Sequence, residues 1–148
     1  MRVTSRSTAW AVCLLAAALL AGCSHNGDES QIESLVRDYL GAIAAHDPQT
    51  FADDVSSTCH LDMAQLQAAF ASVQGQDISL DVQSVDVTDL TQTTATATVN
   101  GTATFQGHTV PMNGVSGQTN SFKVVKEGGA WRIATCPNTS SFAPGGSG

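Results

Sequence analysis

The feature that most constrains this chain is a change of hydrophobic period near Gly75. Before it, apolar residues recur at helical spacing; after it, they alternate. Ile32, Leu35, Val36, Tyr39, Leu40 and Ile43 mark one face of a helix expected over residues 31–45. Ser30 and Glu33 are placed to form a capping box at its start. Asp47-Pro48 then predicts a helix stop and a new start, with Asp47 as N-cap and Pro48 in the first turn of a short helix over about residues 49–55. Asp62 and Gln65 form a second capping pair ahead of Met63, Leu66, Ala69, Phe70 and Val73, and Gly75 suits the helix end.

From Ile78 the pattern is that of strands. Ile78, Leu80 and Val82 alternate with polar residues, and Val85 and Val87 resume on the opposite parity, so a bulge is expected near Gln83-Ser84. Ala95, Ala97, Val99, Gly101, Ala103 and Phe105 share one face of a long strand whose other face is a row of threonines. A hairpin at Asn100-Gly101 would pair Ala97 with Thr104 and mix the two faces. The reversal is therefore placed later, between Gln106 and Gly114. Strands over about 118–126 and 130–136 follow, joined through Gly128-Gly129. Helices first and an antiparallel meander afterwards predict an α+β domain, with three N-terminal helices packed on a curved four-stranded antiparallel sheet.

The start of the chain gives an address. Arg2 and Arg6 precede an apolar run from Ala9 to Leu20, the order of a secretory signal peptide and too short for a membrane-spanning helix. Leu20-Ala21-Gly22-Cys23 resembles the bacterial lipobox. By that resemblance residues 1–22 are removed, Cys23 carries a diacylglyceryl group and a fatty acyl chain such as palmitate, and the protein is anchored at the extracytoplasmic face of the cell membrane. The plain alternative is an ordinary leader with a cysteine near its cleavage site. Residues 23–29 then read as a lipidated tether, 30–136 as the folded domain and 137–148 as a small, Gly- and Ser-rich disordered tail.

Charge and cysteines narrow the partners. The chain carries six Lys and Arg against 13 Asp and Glu; losing Arg2 and Arg6 leaves four basic residues, a net charge near −9. Nucleic acid is excluded as a sensible partner, because phosphate binding needs clustered basic side chains. The same sign disfavours adhesion to anionic lipid, so acyl chains must hold the protein at the membrane. Cys13 leaves with the leader and Cys23 is taken by lipid. Cys59 and Cys136 remain, an even pair for which an oxidising compartment favours a disulfide; two buried thiols or one reactive thiol are the alternatives.

Ala44-Ala45-His46-Asp47-Pro48, then Thr50-Phe51-Ala52-Asp53-Asp54, and the closing Val124-Val125-Lys126-Glu127-Gly128-Gly129-Ala130-Trp131-Arg132-Ile133 resemble the nuclear transport factor 2-like superfamily. The span 78–133 also resembles the sheet half of the mycobacterial low-molecular-weight secreted antigens, which implies an exported actinobacterial protein. The superfamily resemblance implies a cone with an apolar pocket, for which Tyr39, Phe51, Phe70, Phe105, Phe122 and Trp131 are the candidate lining residues. It covers both enzymes, such as steroid isomerases and dehydratases, and plain binding domains.

An isomerase of this type needs a carboxylate base and an opposing hydrogen-bond donor. Counted without gaps, the position of the enzymes' base falls near Cys59, which is no acid. No catalytic residue is therefore assigned. Tyr39 with Asp53, Asp54 or Asp62 is the rival arrangement, which requires one of those acids to sit in a pocket with a raised pKa. Otherwise Asp53 and Asp54 read as solvated surface, Asp62 as a helix cap and Tyr39 as an amphipathic core residue. A Cys59-His60 couple loses its nucleophile if the disulfide forms. His25, His46, His60 and His108 lack paired ligand spacing, so neither a metal nor a cofactor is expected. The reading is a non-catalytic, lipid-anchored envelope protein that binds a small apolar ligand or an envelope protein, with a small lyase or isomerase as the alternative.

Overall fold

The structure is a computed structural model and describes residues 24–112 and 120–137. The leader, Cys23, the turn residues 113–119 and the tail from 138 onward lie outside the described residues. Three helices come first: α1 (Ser24–Ala44), α2 (Pro48–Asp54) and α3 (Met63–Ser72), with a single 3-10 turn at Ser57–Cys59 between the last two. Among the described residues five strands follow: β1 (Ile78–Thr88), β2 (Thr94–Phe105), β3 (His108–Pro111), β4 (Ser121–Glu127) and β5 (Ala130–Ile133). Among the described residues no helix is long and apolar enough to cross a membrane.

The expected start of α1 needs correction. The helix begins at Ser24, so the stretch expected to be a tether forms its first turns. Ser30 lies inside the helix with its hydroxyl donating to Asn26 O, and Glu33 holds Arg37 one turn on, so the two form no capping box. What extends the helix is tertiary: Asp28 Oδ1 accepts from Lys126 Nζ at 2.7 Å and from Trp131 Nε1 at 3.0 Å. The other caps are as read. Asp47 accepts from the Gln49 and Thr50 amides ahead of Pro48, and Asp62 from those of Ala64 and Gln65.

The strands form one antiparallel sheet in the order β1-β2-β4-β5, with β3 also paired to β2. β4 pairs with Thr94–Thr98 and β3 with Thr102–Phe105, while β1 holds the other side of β2 along its length. The architecture is thus the four-strand layout expected, with its third position shared by two short strands. Gln106 and Gly107 make the β2–β3 turn, both at positive φ, inside the segment where the reversal was expected. β5 ends three residues early, at Ile133, and Ala134 N still donates to Lys123 O.

The β1 bulge falls between Val82 and Ser84. It keeps Leu80 opposite Ala103, Val82 opposite Gly101, Val85 opposite Val99 and Val87 opposite Ala97, so every apolar residue of β1 shares the inner face of β2 on both sides of the inserted residue. Ile32, Val36, Phe51, Leu66, Ala97 and Ile133 are fully buried in the core between that face and the helices. The β1 backbone at Asp81 and Val82, just ahead of the bulge, passes beside β2 at close range: a Cβ on Gly101 would collide with the Asp81 carbonyl oxygen.

The Cys59–Cys136 disulfide is formed, joining residues 77 apart in sequence. Together with Ser56 N donating to Ile133 O, it clamps the segment after α2 to the end of β5. Two outcomes are expected. In urea unfolding, the Cys59→Ser/Cys136→Ser double variant should lose about 2 to 4 kcal/mol, and wild type in reductant should lose a similar amount; a thiol reagent should label neither cysteine in denatured, unreduced protein. Gly101→Ala should lose about 1 to 3 kcal/mol, because the obstructing atom is backbone that cannot rotate away; an unchanged midpoint would show that β1 shifts freely at its bulge.

Candidate functional site

The site begins at the C-terminal end of α2. That helix is seven residues long, fixed at its start by Asp47 and stopped at Asp54 because Val55 is extended (φ −92°, ψ 142°) and bridges to Ile133 in parallel. Its face carries Phe51, wholly buried, and three residues later Asp54. The same spacing that sinks Phe51 into the core draws Asp54 after it.

Asp54 is half-buried, and its Oδ2 is buried with no hydrogen-bond partner. Loss of solvent raises its pKa to about 6; the Asp38 charge adds to the rise, Arg132 opposes it and Asp53 adds a little more. Tyr39, on α1, is 6% exposed. Burial first, and the charge of Asp54 second, push its phenol well above the usual range, so it is a neutral O–H donor at any physiological pH. A carboxyl poised near neutrality and a protonated phenol within its field can exchange a proton with a bound molecule or hold one by hydrogen bonds.

Tyr39 also belongs to an aromatic cluster. Its ring stacks on Phe51 at 4.7 Å and meets Phe122 edge-on at 5.6 Å, while Phe51 meets Phe70 edge-on at 5.4 Å. Four of the six candidate lining residues are thus brought together. The other two are not: Phe105, 43% exposed, lies at the end of β2 beside the turn, and Trp131, 3% exposed, is tied to Asp28 and Lys126. A cavity of about 280 Å³ opens elsewhere, between α1 and β1, lined by Glu29, Ser30, Glu33, Val85, Asp86 and Val87. None of the six aromatic residues reaches it.

The remaining candidates are occupied by structure. Asp62 is exposed and caps α3. Asp53 is exposed and accepts from Gln49 Nε2. Cys59 is in the disulfide, so His60, exposed and in the left-handed region at φ 47°, has no thiol to activate. His46, also at positive φ, places Nε2 3.1 Å from Val73 O and ties the end of α1 to the end of α3. Glu127 accepts from Ser56 Oγ and the Ser57 amide, which hold its pKa below the ordinary value. Among the described residues no group of three or more His, Cys, Asp or Glu is arranged to hold a metal ion. Asp54 is the residue that sequence reasoning undervalued when it was paired with Asp53 as surface; its i, i+3 relation to Phe51 was the available signal.

No protein-family model and no curated protein matches the chain. Among solved structures, one from Novosphingobium aromaticivorans, named provisionally as an aromatic ring hydroxylase, is similar over 74% of this chain and 85% of its own, with a TM-score of 0.50 and 19% identity. At that identity the likeness establishes the fold: an α+β cone of the nuclear transport factor 2-like type, with three helices on a curled antiparallel sheet.

The raised pKa fixes the sign of a pH effect. A carboxyl that holds its proton more tightly folded than unfolded gives stability that is present below the unfolded value of 3.8 and is lost as pH rises through about 6. Because Asp54 is only part-buried, solvent screening reduces the penalty to about 1 kcal/mol. Asp54→Asn should therefore be more stable than wild type by about that amount at pH 7.5 and equal to it at pH 4 in urea titrations. A variant less stable at both pH values would show that the carboxylate is held by a favourable contact.

Proposed function

We propose that this protein is a non-catalytic, lipid-anchored envelope protein whose cone domain takes a small apolar ligand or an envelope protein partner. The observation that carries the reading is Phe122: half-buried, it meets the Tyr39 ring edge-on and gives the otherwise closed aromatic cluster of Tyr39, Phe51 and Phe70 a partly exposed apolar margin. The formed disulfide supports an oxidising, extracytoplasmic setting. Asp47 and Asp62 serve as helix caps and Cys59 as half of a disulfide, which removes the sequence-adjacent acids and the thiol from chemistry. Anchoring falls to Cys23, where lipid chains contribute roughly 0.8 kcal/mol per buried methylene.

One observation favours a second reading, a small lyase or isomerase of the cone-fold class. The part-buried Asp54, with an unpaired Oδ2 and a raised pKa, meets the pKa half of the requirement for that reading, with Tyr39 as the donor and Asp54 as the base, while the cavity between α1 and β1 does not include it. It is ranked second because the aromatic rings around Tyr39 pack on one another, leaving Asp54 as the single acid with the character of a base among those three.

The test is to extract the protein from native membranes and analyse what accompanies it by mass spectrometry. A co-purifying lipid or other apolar molecule, lost in Phe122→Ala, is expected for the ligand form. A stoichiometric envelope protein with an otherwise empty domain identifies the partner form and rules out the ligand. Labelled palmitate should enter wild type and not Cys23→Ser; label in neither would overturn the anchor. A bound small polar substrate analogue that Asp54→Asn or Tyr39→Phe releases would move the second reading to first place.

A further inference from the structure

We propose that the domain is held directly against the bilayer, without a flexible spacer, and that the first turns of α1 together with the β4–β5 hairpin form its membrane-facing pole. The inference rests on acylation of Cys23 as put forward above. The ligand of this pole is a lipid headgroup surface.

The argument begins with the position of the helix. α1 starts at Ser24, the residue immediately after the cysteine that would carry the lipid. A polar stretch of six residues would, as coil, let the domain drift well clear of the membrane. As helix the same residues rise only about 1.5 Å each, so Asp28 lies about 6 Å along the axis from Ser24.

Those first turns are also fastened to the sheet. Asp28 Oδ1 accepts from both Lys126 Nζ and Trp131 Nε1, and the Asp28 side chain is 16% exposed. Lys126 sits 5.3 Å from the centre of the Trp131 ring. Lys126 and Trp131 are cross-strand partners on β4 and β5, and Lys126 has the parity of Phe122 and Val124, which face the core. A cation there needs a carboxylate, and Asp28 is the one in contact. The pairing therefore holds the start of α1 against the hairpin: swinging the helix start away as a unit would break both contacts of Asp28, and bending between Ser24 and Asp28 would break the helix's own first turn. An acylated Cys23 puts the helix start at headgroup depth, and the hairpin goes with it.

Within the pole Lys126 is paired with Asp28, and Glu127 of the hairpin is tied to Ser56 and Ser57. Lys123 of β4 is exposed, but a neutral phosphatidylcholine surface gives it no net charge to bind. On such a surface the orientation comes from the covalent link and the helix, and salt should leave it unchanged.

Trp131 makes the test direct, because Trp10 leaves with the signal peptide and Trp131 is then the only tryptophan. The mature lipoprotein is reconstituted in phosphatidylcholine vesicles with and without a nitroxide on the headgroup. Vesicle flotation reports attachment, and Trp131 emission reports proximity. The native protein should float and lose most of its emission to the nitroxide, at low and high salt alike. A variant with a long Gly-Ser spacer inserted between Cys23 and Ser24 should float equally and keep its emission, and an unchanged far-UV spectrum shows it folded. Native protein that floats but is quenched no more than the spacer variant overturns the inference while leaving the anchor intact. Native protein that neither floats nor takes up labelled palmitate overturns the anchor and the orientation with it.

Discussion

The structure depends on one inserted residue. Without the extra position between Val82 and Ser84, the second half of β1 would turn Val85 and Val87 to solvent and bring Ser84 and Asp86 onto the helices. With it, the inner face of the β1–β2 pair is apolar from Leu80 to Val87, and α1 has a continuous surface to cover. The bulge also increases the local twist, so the sheet curls around α1. Arg37 shows how closely the two are matched: held by Glu33, it donates from Nη1 to the Val82 carbonyl, satisfying an edge-strand group beside the irregularity.

The opposite end of the sheet is secured by different means. β5 is four residues long and has β4 as its single strand neighbour, so pairing alone would leave it weak. It is reinforced from three directions: Val55 and Ser56 bridge to Ile133, Cys136 is covalently joined to Cys59, and Trp131 is held by Asp28. All three links run to the helical half of the chain, so the last strand fixes α2 where the charge of Arg132 acts on Asp54. The candidate site is a by-product of this closure. A carboxyl at the end of a seven-residue helix that is bound on both sides cannot turn fully to water.

Local rules were legible in sequence wherever one residue type had one use. Asp47-Pro48 and Asp62 read correctly as helix starts, the parity change at Gln83-Ser84 located the bulge, and unbroken alternation through Asn100-Gly101 defeated the turn that the dipeptide suggests. The errors share a cause. Ser30 with Glu33 satisfies a capping pattern, yet a contact to Lys126 and Trp131, about a hundred residues away, carries the helix past it. β3 was hidden because His108–Pro111 is exposed throughout and has no inner face to betray it. Asp54 was concealed by its neighbour: in a pair of adjacent acids only the helix phase set by Phe51 separates the buried one from the exposed one.

The balance between binding and catalysis turns on what Asp54 costs. An orphaned carboxylate oxygen is tolerated in a fold when something restores the loss, and here Arg132 offsets only part of it. A residue retained only for stability would do better as asparagine or as a fully exposed acid. Among the described residues Asp54 Oδ2 is the buried side-chain oxygen that packing leaves without a partner, within the electrostatic reach of Tyr39. Under the proposed reading, an occupant that reached Asp54 would meet it through a hydrogen-bonding group. Such an occupant would favour the protonated carboxyl if it accepts a hydrogen bond and the ionised one if it donates. Its affinity would then fall or rise with pH across about 6, and the direction alone would tell which group it carries.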